Sequence, residues 1–489
     1  MPLRCDLILR DATIFDGTGG ERVRGDVAVS GGRIAGVGDL GAMSADREVI
    51  ATGRAVAPGF IDAHTHDDRA VLCGPACIGC KISQGVTTVV VGNCGVSLSP
   101  ARFKAAPPPP LDLIGAEGWW RFDSFGDYAH ELSRRGSEVN TMALVGHQTL
   151  RVEAMEGDVS RPARDHEIAR MRDRLKQSLA EGASGFSTGL WYPPAMHATT
   201  AEVIAIAEPL RAAGGLYATH MRDEGERVLA AIEETLLIGR RVGVPVHISH
   251  HKCSLPENFG RSIQTLPLIE AYARTQDVAF DVYPYPASST ALMPERLRDD
   301  VPVMVTWSIP HPEMAGRMLA EIARGWNTDI VDAARRLLPA GQISFAMDEE
   351  DVRRILAHPM SVVGSDGIPH DAHPHPRLWG SFARVLGHYV RDVGLFPLET
   401  AIHKMTGRTA ALFGIEDRGV LREGAQADLV LFDPQRVRDR ATFAEPTLPA
   451  EGIEEVWVNG VPVFAAGAAT GERPGRLITR NRAERPATP

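Results

Sequence analysis

His64 and His66 stand two residues apart at the end of an apolar run, AVAPGFIDAHTH (55–66), that has the composition of a buried strand. Alternate residues of a strand point the same way, so both imidazoles face one point. There they could hold a metal ion such as zinc, provided further ligands arrive from elsewhere in the chain. The simpler alternative is a pair of polar residues closing a strand. Residue types that ligate metals or move protons recur at the ends of later apolar runs: Cys94 in GVTTVVVGNCG, His220 in GLYATHMR, His250 in VPVHISHHK and Asp366 in SVVGSDG.

Eight such runs can be nominated, at 55–66, 85–95, 140–148, 183–191, 215–222, 244–252, 278–285 and 361–367, with helical patterns such as 164–182 and 225–243 between several of them. This alternation predicts an α/β fold, a TIM-like (β/α)8 barrel, in which the C-terminal ends of the strands converge on one mouth. Such convergence would make neighbours of side chains far apart in sequence. Short alternating runs with Gly and Asp-Gly turns occupy both ends of the chain, and isolated strands of this kind are marginal in water, so a small β-sandwich built from both termini is expected. The expected division is 1–57 and 416–480 for this β domain and 58–415 for the barrel. An insertion at about 286–345, too long for a βα connection, reads as a lid or substrate-shaping segment over the mouth, the alternative being a decorative excursion. Pro107 to Pro110 reads as a stiff loop that says nothing about chemistry, and the tail from Thr479 as loose.

The net charge of −10, with no face dense in Lys and Arg, argues against nucleic acid as a partner. No stretch is apolar for long enough to cross a bilayer, and the first residues carry Arg4, Asp6, Arg10 and Asp11 where a signal peptide would be apolar. Six unevenly spaced cysteines fit reduced thiols, and a cytoplasmic location is expected.

GFIDAHTH on a first strand, histidines ending strands five and six, and SDG on strand eight resemble the amidohydrolase superfamily. GVTTVVVGNCG, THMRDEGE, ISHHK, DVYPY and VGSDG more closely resemble its N-acyl-D-amino-acid deacylases, the D-aminoacylases, and the likeness covers nearly the whole chain. Strand four, ASGFSTGLW, lacks the lysine that hydantoinase-like members carboxylate to bridge two metals, and the resemblance gives that bridging place to Cys94. It implies a tight zinc site of Cys94, His220 and His250 and a weaker second site of His64, His66 and Asp366. It also implies hydrolysis of a linear N-acyl-D-amino acid by metal-activated water, with Asp366 as general base and then general acid. Lys252, Tyr283 and Arg377 correspond to positions that bind the substrate's α-carboxylate, for which a guanidinium has the matching fork. Ser289 and Arg296 could reach the side chain. Arg296 would suit an acidic one such as D-glutamate, or it is a solvated helix charge. Tyr192 and Arg222 either touch substrate or pair structurally. The implied partner is a small N-acyl amino acid, with the oligomeric state open.

Other histidines read as structural: His247 and His251 around the proposed ligand, and His370, His373 and His375 in a rim loop, while His147 could line the mouth. Asp62 shares the face of His64 and reads as a deeper charge or as a partner to the ligands. Cys73, Cys77 and Cys80, spaced C-x3-C-x2-C, also resemble the iron–sulfur motif of radical S-adenosylmethionine enzymes. Against this, Gly79 stands where that motif usually has an aromatic residue, and the histidines and Asp366 would have no role. Two further alternatives are another amidase or cyclic amidohydrolase, disfavoured by the absent lysine, and a non-catalytic scaffold, which would be expected to have lost ligands.

Overall fold

A computed structural model describes residues 4–481. Eight parallel strands form one sheet: β1 (Phe60–Asp62), β2 (Val86–Val91), β3 (Asn140–Gly146), β4 (Gly185–Gly189), β5 (Leu216–His220), β6 (Val246–Ile248), β7 (Val278–Val282) and β8 (Ser361–Val363). They pair in chain order, and every residue in them is buried, as expected for a parallel sheet covered on both faces. The sheet closes between β1 and β8: Ala63 N–H donates to the Val363 carbonyl at 3.2 Å and Asp366 N–H to the His64 carbonyl at 2.8 Å, with a parallel bridge between Thr65 and Gly367. All eight nominated runs contribute a strand, and helices Asp165–Ala180 and Val228–Val242 fall within the expected helical stretches.

The run 55–66 is divided between two sheets. Ala55–Pro58 pairs with Arg4–Ile14 and with Leu429–Phe432, and only from Phe60 does the chain enter the barrel. Gly59 makes this transition because any side chain there would collide with Thr87 on β2. The strands at both ends form one nine-stranded sheet, running from Ala468–Ala469 through Leu429–Phe432 and Ala55–Pro58 to Arg33–Gly38. Its two halves meet across a core containing Leu7, Val29, Leu431 and Trp457. The turn at Gly32 touches the turn at Asn459, giving the expected sandwich as one continuous sheet folded over.

A buried polar network ties this sheet to the barrel. Asp428 accepts from Asn140 at the start of β3 (3.0 Å) and from the Asn459 backbone (2.7 Å), and it pairs with Arg418. Asn459 in turn donates to Asn140 at 3.0 Å. The segment after β7 forms a three-stranded antiparallel sheet (Ser288–Ala291, Ala340–Ser344, Val303–Ser308) with its own core of Leu292, Val305, Leu319 and Leu337. The described end of the chain is anchored rather than loose: Arg480 donates to the carbonyls of Gly214 and Leu412, while the rest of the expected tail, 482–489, lies outside the described residues. Among the described residues no helix is long and apolar enough to cross a membrane.

Replacing Asp428 with Ala leaves Arg418 and two asparagine groups without their buried acceptor. The expected cost is about 3–5 kcal/mol of stability. Differential scanning calorimetry of Asp428→Ala should show a lowered unfolding temperature, and an unchanged one would deny the network its structural role.

Candidate active site

The loops at the C-terminal ends of the strands depart from extended geometry where side chains must turn into the mouth. Cys94, His250 and Asp366 all have positive φ (53°, 37° and 49°), a conformation that non-glycine residues adopt only when their surroundings impose it. Before Cys94, Gly92 (φ +78°) admits no side chain, since a Cβ there would strike the Leu144 carbonyl on β3. The end of β2 therefore turns sharply and projects the thiol inward.

The Cys94 Sγ lies 3.3 Å from Nε2 of His64 and 3.3 Å from Nε2 of His250. Asp366 Oδ1 lies 3.4 Å from His64 Nε2 and 3.2 Å from His66 Nε2. The His220 ring packs edge-on against His250 with centroids 4.5 Å apart, and both of its nitrogens are buried without a hydrogen-bond partner. His64, Cys94, His250 and Asp366 have ligand atoms all within 4.8 Å of one another, and so do His220, Glu224 and His250. Two ligands held about 2.0–2.3 Å from one tetrahedral ion are themselves roughly 3.3–3.7 Å apart, so the thiol and imidazole spacings fit a shared ion. A thiolate with several imidazoles is a donor set suited to zinc.

The electrostatics agree with that fit. Burial pushes the Cys94 thiol up, but the facing His64 and His250 outweigh it and hold the thiol well below its ordinary value. Burial likewise raises the Asp366 carboxyl, and Arg377, His64 and His250 together draw it well below the usual carboxylate range. His66 is lowered by burial yet ends up at about 9, because Asp366 and Cys94 both stabilise its charged form.

Residues behind the cluster fix its orientation. Asp281 on β7 receives His64 Nδ1 at 3.2 Å and His247 Nε2 at 2.7 Å, so His247 supports the site from beneath. His251 bonds Thr265 and stays structural. Asp62 accepts from the Ser365 backbone at 2.8 Å and from the buried Lys81 at 2.9 Å; Lys81 also donates to Ser365 Oγ at 2.7 Å. Glu224, four residues after His220, receives Lys252 Nζ at 2.7 Å and lies 3.0 Å from His250 Nδ1. Glu224, Asp281 and Lys81 escape sequence reasoning. The carboxylate in THMRDEGE and the aspartate in DVYPY were visible, but nothing in their spacing tied them to a histidine.

The expected substrate residues surround the cluster, though several are already engaged. Lys252 is bound to Glu224 and approaches His250 Nδ1 at 2.8 Å, so it is not a free cation. Arg377 is fully buried: Nη1 sits 2.9 Å from Asp366 Oδ2, Nη2 donates to the Ser289 carbonyl at 3.0 Å, and Nε makes no hydrogen bond. Its guanidinium covers the Tyr283 ring, 4.5 Å from the centroid. Tyr192 and Ser289 line a small cavity together with Cys94, His66, Thr290 and Asp366. Ser289 Oγ itself donates to the Gln342 carbonyl, and Tyr192 shares a hydrogen bond with Thr290. Arg296 stacks on Trp191, 3.9 Å from its ring, and donates to the Trp191 carbonyl. Arg222 pairs with Glu234. His147 is buried beside Glu202 rather than lining the cavity. His373 and His375 bond the Phe443 and Ala287 carbonyls in the rim loop. Cys73, Cys77 and Cys80 are free thiols on the helices Ala70–Cys73 and Pro75–Ile82, and none of them lines this cavity. Pro110, at the end of the Pro-rich run, and Leu113 in the turn that follows it (Leu111–Ile114) contribute to the cavity wall.

The model of the amidohydrolase family matches residues 47–305 and 309–464. The chain is 53% identical over 478 residues to a D-aminoacylase of Alcaligenes xylosoxydans xylosoxydans, covering 98% of each protein, and 49% identical over 482 residues to an N-acyl-D-glutamate deacylase of the same organism, again covering 98% of each. Among solved structures it resembles an N-acyl-D-glutamate deacylase from Bordetella bronchiseptica complexed with zinc and a phosphonate mimic of the tetrahedral intermediate, at 47% identity and a TM-score of 0.94, over 97% of this chain and 99% of that one. The sequence, the closed barrel and the cysteine-centred cluster agree: the chain belongs to the amidohydrolase family, within its group of N-acyl-D-amino-acid deacylases.

Proposed function

We propose that the protein is a zinc-dependent deacylase that hydrolyses linear N-acyl-D-amino acids to a carboxylate and a free D-amino acid. The observation that carries this reading is the buried Cys94 thiol, 3.3 Å from two imidazoles with Asp366 across the same cluster, in a barrel whose β4 has no lysine to bridge metals. Cys94, His220 and His250 would hold the tight zinc, and His64, His66 and Asp366 a second, weaker ion. When bound, zinc lowers the pKa of a water and polarises the scissile carbonyl.

The chain's own residues supply the rest. Asp366 is ionised and anchored through Oδ2 by Arg377, leaving Oδ1 on the side of His64 and His66 to take a proton from the attacking water. The same carboxyl then delivers that proton to the departing amine nitrogen. Arg377 Nε, buried and unpartnered, offers a donor to the α-carboxylate beside Tyr283, and Lys252 adds positive charge from across the Glu224 pair. Arg296, stacked on Trp191 next to Tyr192 of the cavity lining, is a cation close to the site, which supports an acidic side chain such as that of D-glutamate. The segment 286–345 closes over the mouth through Ser289 and Thr290. The six free thiols support a reducing compartment such as the cytoplasm.

Incubated with N-acetyl-D-amino acids and their L-enantiomers, the zinc-loaded enzyme should release free amino acid from the D series only. Asp366→Asn should lower kcat by about 100- to 10,000-fold, and undiminished turnover would refute its proton-transfer role. Stripping metal with a chelator should abolish activity and zinc should restore it, while Cys94→Ala should bind less zinc by elemental analysis; full zinc retention in that variant would move the tight site elsewhere. For Arg296→Ala, kcat/KM for N-acetyl-D-glutamate should fall at least about tenfold relative to N-acetyl-D-methionine. An unchanged ratio would assign Arg296 to its stack on Trp191 alone.

A further inference from the structure

The cavity beside Asp366 has two walls of different character. On one side Tyr192 lines the cavity, backed by Met293 and Trp191, on whose ring the exposed Arg296 lies. On the other, Leu113 and Ile368 pack with Ala291 and Trp307, and Val96 and Pro110 complete an apolar surface; the remaining lining comes from His66, Cys94, Ser289, Thr290 and Asp366. The α-carboxylate position beside Arg377 and Tyr283 belongs to neither wall. A substrate with three arms at its reacting end, an α-carboxylate, a side chain and an acyl chain, thus meets three distinct surfaces.

Resting on the deacylase reading, we infer that the wall of Val96, Leu113 and Ile368 receives the acyl group and sets the acyl-chain length that the enzyme accepts. The side with a cation suits the variable amino acid side chain, whereas an unbranched acyl chain is uncharged and is matched by the side without one. The wall is also rigid. Leu111 and Ile114, on either side of the Leu113 turn, are fully buried in the main core, and Leu113, Ile368 and Val96 are only 7%, 5% and 2% exposed. A wall held this firmly cannot recede for a longer chain, so the enzyme as it stands should favour acetyl over hexanoyl substrates.

The test measures kcat/KM for N-acetyl, N-butanoyl and N-hexanoyl derivatives of both D-glutamate and D-methionine. Leu113→Ala and Ile368→Ala should raise the butanoyl-to-acetyl ratio at least about tenfold, because truncation frees room for the extra methylenes. Ile368→Phe should lower that ratio, an opposite sign that loss of folding cannot mimic, and circular dichroism checks each variant. The shift should be the same for both amino acids. If the variants change the glutamate-to-methionine ratio and leave the chain-length profile alone, the walls are assigned in reverse and the inference fails; it fails equally if neither ratio moves. A wild-type enzyme active on N-acetyl-D-amino acids keeps either failure separate from the deacylase reading, whereas one that releases nothing from any substrate overturns both.

Discussion

The closure of the barrel between β1 and β8 is the constraint on which the site depends. His64 and His66 leave β1, Asp366 leaves β8, and they meet only because the Asp366 backbone donates to His64 across that seam. The seam is stitched from beneath by Lys81, Asp62 and Ser365, all fully buried. A charge pair buried this deeply contributes little net stability when intact, but losing one partner strands the other in a medium that cannot solvate it. Its effect is therefore on geometry: it fixes the backbone on both sides of Asp366 before any ligand arrives.

The same economy runs through the mouth. Cys94, His250 and Asp366 sit in backbone conformations that cost energy, and their charges are buried together. Each is tolerated because it compensates another. The thiolate is stabilised by imidazoles, the carboxylate by Arg377, and the imidazoles by Asp281 and Glu224 behind them. A divalent ion added to such a cluster enters a place already shaped by electrostatics rather than creating one.

Much of this was legible in the sequence, and the limits have physical causes. Runs such as VTTVVV declare a buried parallel strand because both of their faces are apolar, and a polar residue directly after such a run has only the mouth to enter. Pairing partners are not written in such a run, so Ala55–Pro58 could not be assigned to a different sheet from Phe60–Asp62. Residues that act on a functional group directly, such as Cys94 or Asp366, are recognisable by type. Those that act by orienting another residue, such as Asp281 under His64 or Glu224 beside His250, are ordinary acidic residues until the fold brings them near. The turn that follows the Pro-rich run escaped notice for a related reason: Leu113 is an unremarkable apolar residue whose importance comes from facing Ile368, some 250 positions away.

The pairing of Ala55–Pro58 with Leu429–Phe432 also bears on how the molecule is made. Roughly 370 residues separate those strands, and a ribosome adding about 5–20 residues per second needs on the order of 20–75 seconds to deliver the second after the first. Throughout that interval Ala55–Pro58 has one edge unpaired, and the shared core lacks Leu429, Leu431 and Trp457. Vectorial synthesis thus leaves an open strand edge waiting for its complement until translation is nearly done.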